Sequence, residues 1–375
     1  MTNQIISLQQ IELFWLDLPQ KRVFQSGIGI RKSKETLIVK WIDREGRIGY
    51  GECACRPDPY FSSEFLKGAW HILQDFIVPQ LSQQLTYQDL LQVLQKHRGW
   101  NFTRAAVEVA AFGILRQQTE QNLLDQALKA DAIEKVPVGI SLGFYPTKEA
   151  LYEAVVNAIA EGYQRIKFKI APQVDISHFE HINPLLVEQG VYVSFDANGS
   201  YYEQHLDQLQ YFVDTYGAVI EQPTPPSRFD ILLQAKARFP KLKVCFDEEI
   251  TSIGDLVKLH QLHIVDEVNL KIGRVGGIAS SIAILNYCHE HQLPCWLGGM
   301  FETGIGRLLN LEMASYLPDA KAHDLSPSSR YFKEDIIAPA VQMEQGFITV
   351  APSLESQVVE AQLDKFSTQK VILKP

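Results

Sequence analysis

No apolar run in the chain approaches the roughly 18 to 20 residues that a bilayer span requires, and the first twenty residues, MTNQIISLQQIELFWLDLPQ, lack the cationic start of a secretory leader. Positive charge is in deficit: 35 Lys and Arg stand against 44 Asp and Glu, a net charge of −9. That balance argues against nucleic acid or an anionic membrane as the main partner. Cysteine is scarce and odd in number, at positions 53, 55, 245, 288 and 295. Such a set in a large chain reads as free thiols in the cytoplasm and not as a disulfide framework. Also missing are a glycine fingerprint after a first strand and the spacing of a Walker loop. What remains is a soluble globular protein of 375 residues, long enough for two domains.

The first 130 residues read as an α+β domain. ISLQQIELFWLDL and TLIVKWI alternate as strands do, and the Glu45-Gly46 turn leads into GRIGYGECA. In TRAAVEVAAFGILRQ, Ala106, Val109, Ala110 and Gly113 fall on one helical face.

From about residue 131 the texture changes to short apolar runs with polar ends, each followed by a helical stretch. The ends are Ser141, Lys169, Asp196, Glu221, Asp247, Lys271, Gly298 and Asp324, spaced 24 to 28 residues apart. That period predicts a modified (β/α) barrel of about eight strands over 131–335, since a barrel unit averages about 30 residues. An open doubly wound sheet is the alternative and needs a topological switch point. The tail, 336–375, is expected to return to the N-terminal sheet and complete a capping domain.

Barrel enzymes carry their chemistry at the C-terminal ends of strands. Here those ends supply Lys169, Asp196, Glu221, Asp247 and Lys271 in order. A single carboxylate at such a place is often a helix cap. Three converging on one point repel unless a cation lies between them, and oxygen ligands without His or Cys favour Mg²⁺, with Mn²⁺ as a substitute. A cation there would stabilise an oxyanion made when a proton leaves the carbon beside a carboxylate. In RIKFKI the period of two puts Lys167 and Lys169 on one face of the strand. A second ammonium, the cation and partial burial all favour the neutral amine, so Lys169 is expected to act as base, tuned by Lys167. Lys271 would face the other side of the substrate.

Two other signals are set aside. CHEHQLPC offers Cys288, His289, His291 and Cys295, but adjacent helix positions point in different directions. GRVGGIAS has the look of a phosphate loop but follows the sixth strand, and reads as a tight turn past Lys271. Tyr60, Phe61 and Phe65 fit either an aromatic binding loop or packing at the barrel mouth.

The motifs KFK, DAN, IEQP, DEE, LKIGRVGG, GGMFETGIG and HDLSPSSRYF, in this order, closely resemble the enolase superfamily. More narrowly they are similar to its group of o-succinylbenzoate synthases and N-acylamino acid racemases, and the likeness extends to GECA, PDPYFSSEF and VPVGISLG. A lysine base with Mg²⁺ stabilising an ene-diolate is a known mode of that superfamily. The resemblance implies Asp196, Glu221 and Asp247 as metal ligands, Lys169 and Lys271 as the acid/base pair, and Lys167 as their electrostatic partner. It implies Asn198, Ser141, Gly298, Gly299 and Met300 around the substrate, with Glu302 ordering the strand-end loop.

It further implies a small carboxylate substrate. The expected reaction is dehydration of 2-succinyl-6-hydroxy-2,4-cyclohexadiene-1-carboxylate in menaquinone or phylloquinone biosynthesis. Racemisation of N-succinylamino acids is the alternative, alone or on the same site, and Arg274 is shared with the subgroup that includes such racemases. The third ligand motif departs from the common Asp-Glu-Ser, so Glu249 is expected as an extra carboxylate beside the metal. FQSGIGIRKS and CRPDPYF correspond to the segments that set substrate choice in similar proteins. The oligomeric state is left open.

Overall fold

The computed structural model describes residues 4–26, 29–354 and 356–374, with side chains at all of these except 22–32 and 352–353. Most of FQSGIGIRKS, residues 24–32, therefore lies outside the described side chains.

Three antiparallel strands, β1 (Gln10–Ser26), β2 (Gly29–Ile42) and β3 (Ile48–Cys53), build the N-terminal sheet. The turn from β2 to β3 forms because Asp43 Oδ1 accepts from the backbone N–H groups of Glu45 (3.0 Å) and Arg47 (2.8 Å), while Gly46 takes φ +81°. Helix α1 (Asn101–Gln117) lies directly on β3. A Cβ on Gly49 would stand 1.9 Å from the Ala110 carbonyl oxygen, and one on Gly51 equally close to that of Ala106. The small-residue face read from the sequence therefore meets two strand glycines, and backbone packs on backbone.

Seven parallel strands follow in chain order: β4 (Gly139–Leu142), β5 (Arg165–Lys169), β6 (Tyr192–Asp196), β7 (Val219–Glu221), β8 (Lys243–Phe246), β9 (Glu267–Leu270) and β10 (Cys295–Leu297). The expected eighth run makes a bridge and not a ladder. His323 N donates to Pro137 O (2.9 Å), Gly139 N donates to His323 O (2.7 Å), and Asp324 N donates to Leu297 O (3.0 Å), so the segment joins β10 back to β4. The His323 side chain takes part: its Nδ1 accepts from Leu297 N at 3.0 Å. Burial, reinforced by Arg165, pushes its pKa down to about 3, which keeps the ring neutral and able to accept.

Ile166 and Phe168 turn outward into a helical shell where Phe168, Phe179, Phe195 and Phe212 stack. Lys167 and Lys169, on the opposite face, turn into the barrel. The tail divides its pairing. Phe347–Thr349 pairs with Lys135–Pro137 ahead of β4, and Ser367–Leu373 joins the outer side of β1. Among the described residues no helix is long and apolar enough to cross a membrane.

Candidate active site

At the C-terminal mouth of the barrel, under the N-terminal sheet, lies a cavity of ≈ 110 Å³. Lys167, Lys169, Asp196, Asn198 and Lys271 line it from the barrel, with Ser141, Gly299 and Met300 on its rim. The cap contributes Lys34, Arg56 and Phe61.

Strand register explains the convergence. Lys169, Asp196 and Glu221 are successive partners across β5, β6 and β7, so their side chains emerge at one level. Lys169 Nζ donates to Asp196 Oδ2 and Asn198 Oδ1, both at 2.6 Å. One pleat deeper, Lys167 Nζ reaches Glu221 Oε2 (2.7 Å), Asp324 Oδ2 (2.5 Å) and Asp196 Oδ2 (3.6 Å). On the far side Lys271 Nζ donates to Asp247 Oδ2 at 2.7 Å, and Arg274 pairs with the same carboxylate.

Burial disfavours the Lys167 ammonium, but Asp324, Glu221 and Asp196 outweigh it and hold the pKa above its ordinary value. Burial likewise works against ionised Asp196, and Lys169 and Lys167 overcome it, so that carboxyl stays low. Asp324 behaves the same way against Lys167 and Arg165. Lys167 is thus a fixed positive charge inside a ring of fixed negative ones.

Several positions differ from expectation. Glu249 does not face this cluster: its Oε2 accepts from Ser227 N at 2.8 Å, outside the barrel mouth. The inward acid is Glu248, whose Oε1 accepts from Asn198 Nδ2 at 2.9 Å and whose pKa is raised by burial and by Asp196. β8 ends at Phe246 and the chain turns through 247–249, so the period of two is lost: Asp247 and Glu248 both face the barrel mouth while Glu249 points away. Gly298 does not line the cavity; a Cβ there would stand 2.1 Å from Asn269 Oδ1. Its absence leaves room for Asn269, whose Nδ2 donates to Glu221 Oε1 at 2.7 Å. Glu302 sits behind the rim, accepting from Met300 N (2.7 Å) and pairing with Arg307 (3.1 Å). Of the three aromatics, Phe61 places its ring 5.0 Å from Lys271 Nζ, Phe65 packs on Trp100, and Tyr60 is exposed.

Asp324 was legible as the eighth polar strand end but gave no sign of pairing with Lys167. Lys34, Arg56, Phe301 and Tyr331 also reach the cavity; Arg56 lies in CRPDPYF, Phe301 in GGMFETGIG and Tyr331 in HDLSPSSRYF, but the motifs did not single out these side chains.

The donor set suits a hard divalent cation. Asp196, Glu221 and Asp247 supply oxygen alone, and Glu248 Oε2 is a buried carboxylate oxygen with no hydrogen-bond partner. Lysines now neutralise the three carboxylates. Among the described residues, the group of metal-ligating atoms that closes within 4.8 Å is instead Cys53, Cys55 and Glu64. There Glu64 already caps α1, accepting from Phe102 N (2.8 Å) and Thr103 N (2.6 Å).

The phosphate-loop reading of GRVGGIAS also has an answer. The helix that it opens, Ile278–Glu290, receives Glu108 of α1 at its N-terminus, where Oε1 accepts from Ala279 N at 2.8 Å. A carboxylate of the cap occupies the position that a phosphate would take.

A parallel barrel with acids and lysines at its strand ends, under a mixed cap, defines an enzyme of the enolase type. Residues 150–353 match the family described as Enolase C-terminal domain-like, and the chain belongs to the enolase superfamily. An o-succinylbenzoate synthase of Enterococcus faecalis is 33% identical, over 98% of this chain and 100% of its own length. An N-succinylamino acid racemase of Amycolatopsis is 31% identical, over 98% and 99%. A solved enolase-superfamily member from Listeria innocua superposes with a TM-score of 0.90 at 29% identity, over 98% of this chain and 99% of that one.

Proposed function

We propose that this protein is a Mg²⁺-dependent o-succinylbenzoate synthase. The observation that carries the reading is the pairing of Lys169 with both Asp196 and Asn198 at the cavity wall, with Lys167 held charged behind it. Asp196, Glu221 and Asp247 would hold the metal. When bound, Mg²⁺ supplies Lewis-acid stabilisation of the negative charge that develops on the substrate carboxylate.

Lys169, released from Asp196, takes the proton from the carbon bearing the ring carboxylate. The electron pair left behind forms the ring double bond as the neighbouring carbon–oxygen bond breaks. The same lysine returns the proton to the departing hydroxide, so one water leaves and the ring becomes aromatic. Lys271, across the cavity, stands as a cation toward the ring face, as it now stands toward Phe61. Ser141, Gly299 and Met300 border the substrate, and Glu302 fixes the rim through Met300. The substrate is a small dicarboxylate, and five unpaired, buried thiols suit the reducing cytoplasm.

Racemisation of N-succinylamino acids is the second reading, favoured by the presence of a lysine on each side of the cavity. The two are separated by following, on one Mg²⁺-loaded sample, loss of the cyclohexadiene absorbance and deuterium wash-in at the α-carbon of an N-succinylamino acid. Fast dehydration with little exchange supports the synthase. Exchange and racemisation of both enantiomers without dehydration overturn it.

A further inference from the structure

Cys53 ends β3 and Cys55 follows it, with Ala54, which lines the cavity, between them. Both cysteines are fully buried, and their Sγ atoms stand 3.6 Å apart. Glu64, 2% exposed, brings a carboxylate oxygen within 4.8 Å of both sulfurs. Among the described residues no other three ligand atoms of His, Cys, Asp or Glu close so tightly. The segment between Cys55 and Glu64 is an irregular loop, and it carries Arg56 and Phe61 to the cavity wall.

A hydrogen bond between thiols explains the sulfur contact, and capping of α1 explains part of the carboxylate. Glu64 Oε1 accepts from both Thr103 N and Thr103 Oγ1. Oε2 accepts from Phe102 N and retains a lone pair, so the cap does not use up the ligand. The sulfur separation also suits a metal, because two zinc–sulfur bonds of about 2.3 Å at a tetrahedral angle place their sulfurs about 3.8 Å apart. Two thiolates and a carboxylate exceed a divalent cation by one negative charge. Positive charge is at hand: Lys34 Nζ donates to Ala54 O at 3.2 Å and acts on Cys55, while Arg104 acts on Glu64.

We propose that Cys53, Cys55 and Glu64 form a site for a thiophilic divalent cation of the Zn²⁺ class, and that the ion clips together the two ends of the loop 56–63. This site is separate from the oxygen cluster at the barrel mouth and takes a softer ion. Each thiol gives its proton to solvent as a metal–sulfur bond forms, so uptake releases two protons and strengthens with pH. The proposal does not depend on whether the enzyme dehydrates or racemises. Its consequence for either reaction is a stiffer base for the loop that presents Arg56 and Phe61.

The test is titration of the reduced, Mg²⁺-loaded protein with Cd²⁺, followed by the ultraviolet thiolate-to-cadmium charge-transfer band. Wild-type protein is expected to develop the band with a single ion per chain and to lose it when Zn²⁺ is added. Cys53→Ser and Cys55→Ser should each weaken Cd²⁺ binding by at least about tenfold, and Glu64→Gln should weaken it by a similar factor. Cys288→Ser, which alters the other pair of neighbouring thiols, should leave the titration unchanged. Hydrogen exchange on wild-type protein tests the clip without any substitution: Zn²⁺ should slow the amides of 56–63 by at least about threefold. A wild-type protein without the band, a band that persists in Cys55→Ser, or one lost in Cys288→Ser overturns the site. Unchanged exchange in 56–63 on a protein that shows the band overturns the clip.

Discussion

Lys167 Nζ lies 2.5 Å from Asp324 Oδ2, so the second barrel strand and the closing eighth segment are tied by an ion pair at the cavity floor. The same ammonium holds Glu221 at 2.7 Å. Removing it leaves buried anions without their cation, which typically costs about 3 to 5 kcal/mol. Lys167→Met should therefore melt well below wild type in EDTA and gain more from added Mg²⁺ than wild type does. Thermal melts with and without the metal check this; equal gains in both proteins would contradict it.

Lys271 separates a cationic role from proton transfer. If its charge alone serves dehydration, Lys271→Arg should keep much of the wild-type kcat and Lys271→Ala should lose at least about tenfold. Racemisation should fall in both variants, because neither retains an amine that can trade protons. Parallel kinetics on the two substrates give the answer, and equal dehydration rates in Arg and Ala variants would reject the cationic role.

Glu248 and Glu249 are adjacent and should behave differently. Glu249 accepts from the Ser227 backbone at a partly exposed site, so Glu249→Ala should change kcat/KM by less than about twofold, with stability lower by no more than about 1 kcal/mol. Glu248→Gln removes charge next to Asp196 and should weaken Mg²⁺ binding by about tenfold. Metal titrations followed by tryptophan fluorescence distinguish them.

Glu108 makes stability depend on pH. Burial raises its pKa to about 7 against an ordinary value of 4.5. Between those values the folded protein binds more protons than the unfolded chain, so stability falls as pH rises from about 4.5 to 7. Glu64, also raised to about 7 by burial, adds a slope of the same sign. Glu108→Gln should flatten the decline while lowering stability overall. Urea unfolding at several pH values in this window measures the slope, and an unchanged slope would show that Glu108 does not titrate there.

Gly51 should tolerate no side chain. A Cβ there would press into the Ala106 carbonyl, a backbone atom that moves only with α1, so Gly51→Ala should cost about 1 to 3 kcal/mol or more. Gly99, with nothing within 4 Å of an added Cβ, is the control for packing, although its φ of +79° adds strain of its own.

The sequence by itself determined the barrel, because buried parallel strands need apolar runs at a regular spacing and their mouths need polar ends. It also determined that Lys167 and Lys169 share a face and that Asp196, Glu221 and Asp247 follow on successive strands, since period two and chain order are local facts. Tertiary structure alone decided which charges meet. Arg165 and Asp324 are 159 positions apart, and only closure of the ring by a bridged segment makes them partners. The divergence of Glu248 from Glu249 depends on the path after β8, and the arrival of Lys34 and Glu108 depends on how the cap docks. A charge in a sequence has no sign of its destination; electrostatic energy is set by distance and burial, and those exist only once the chain has folded.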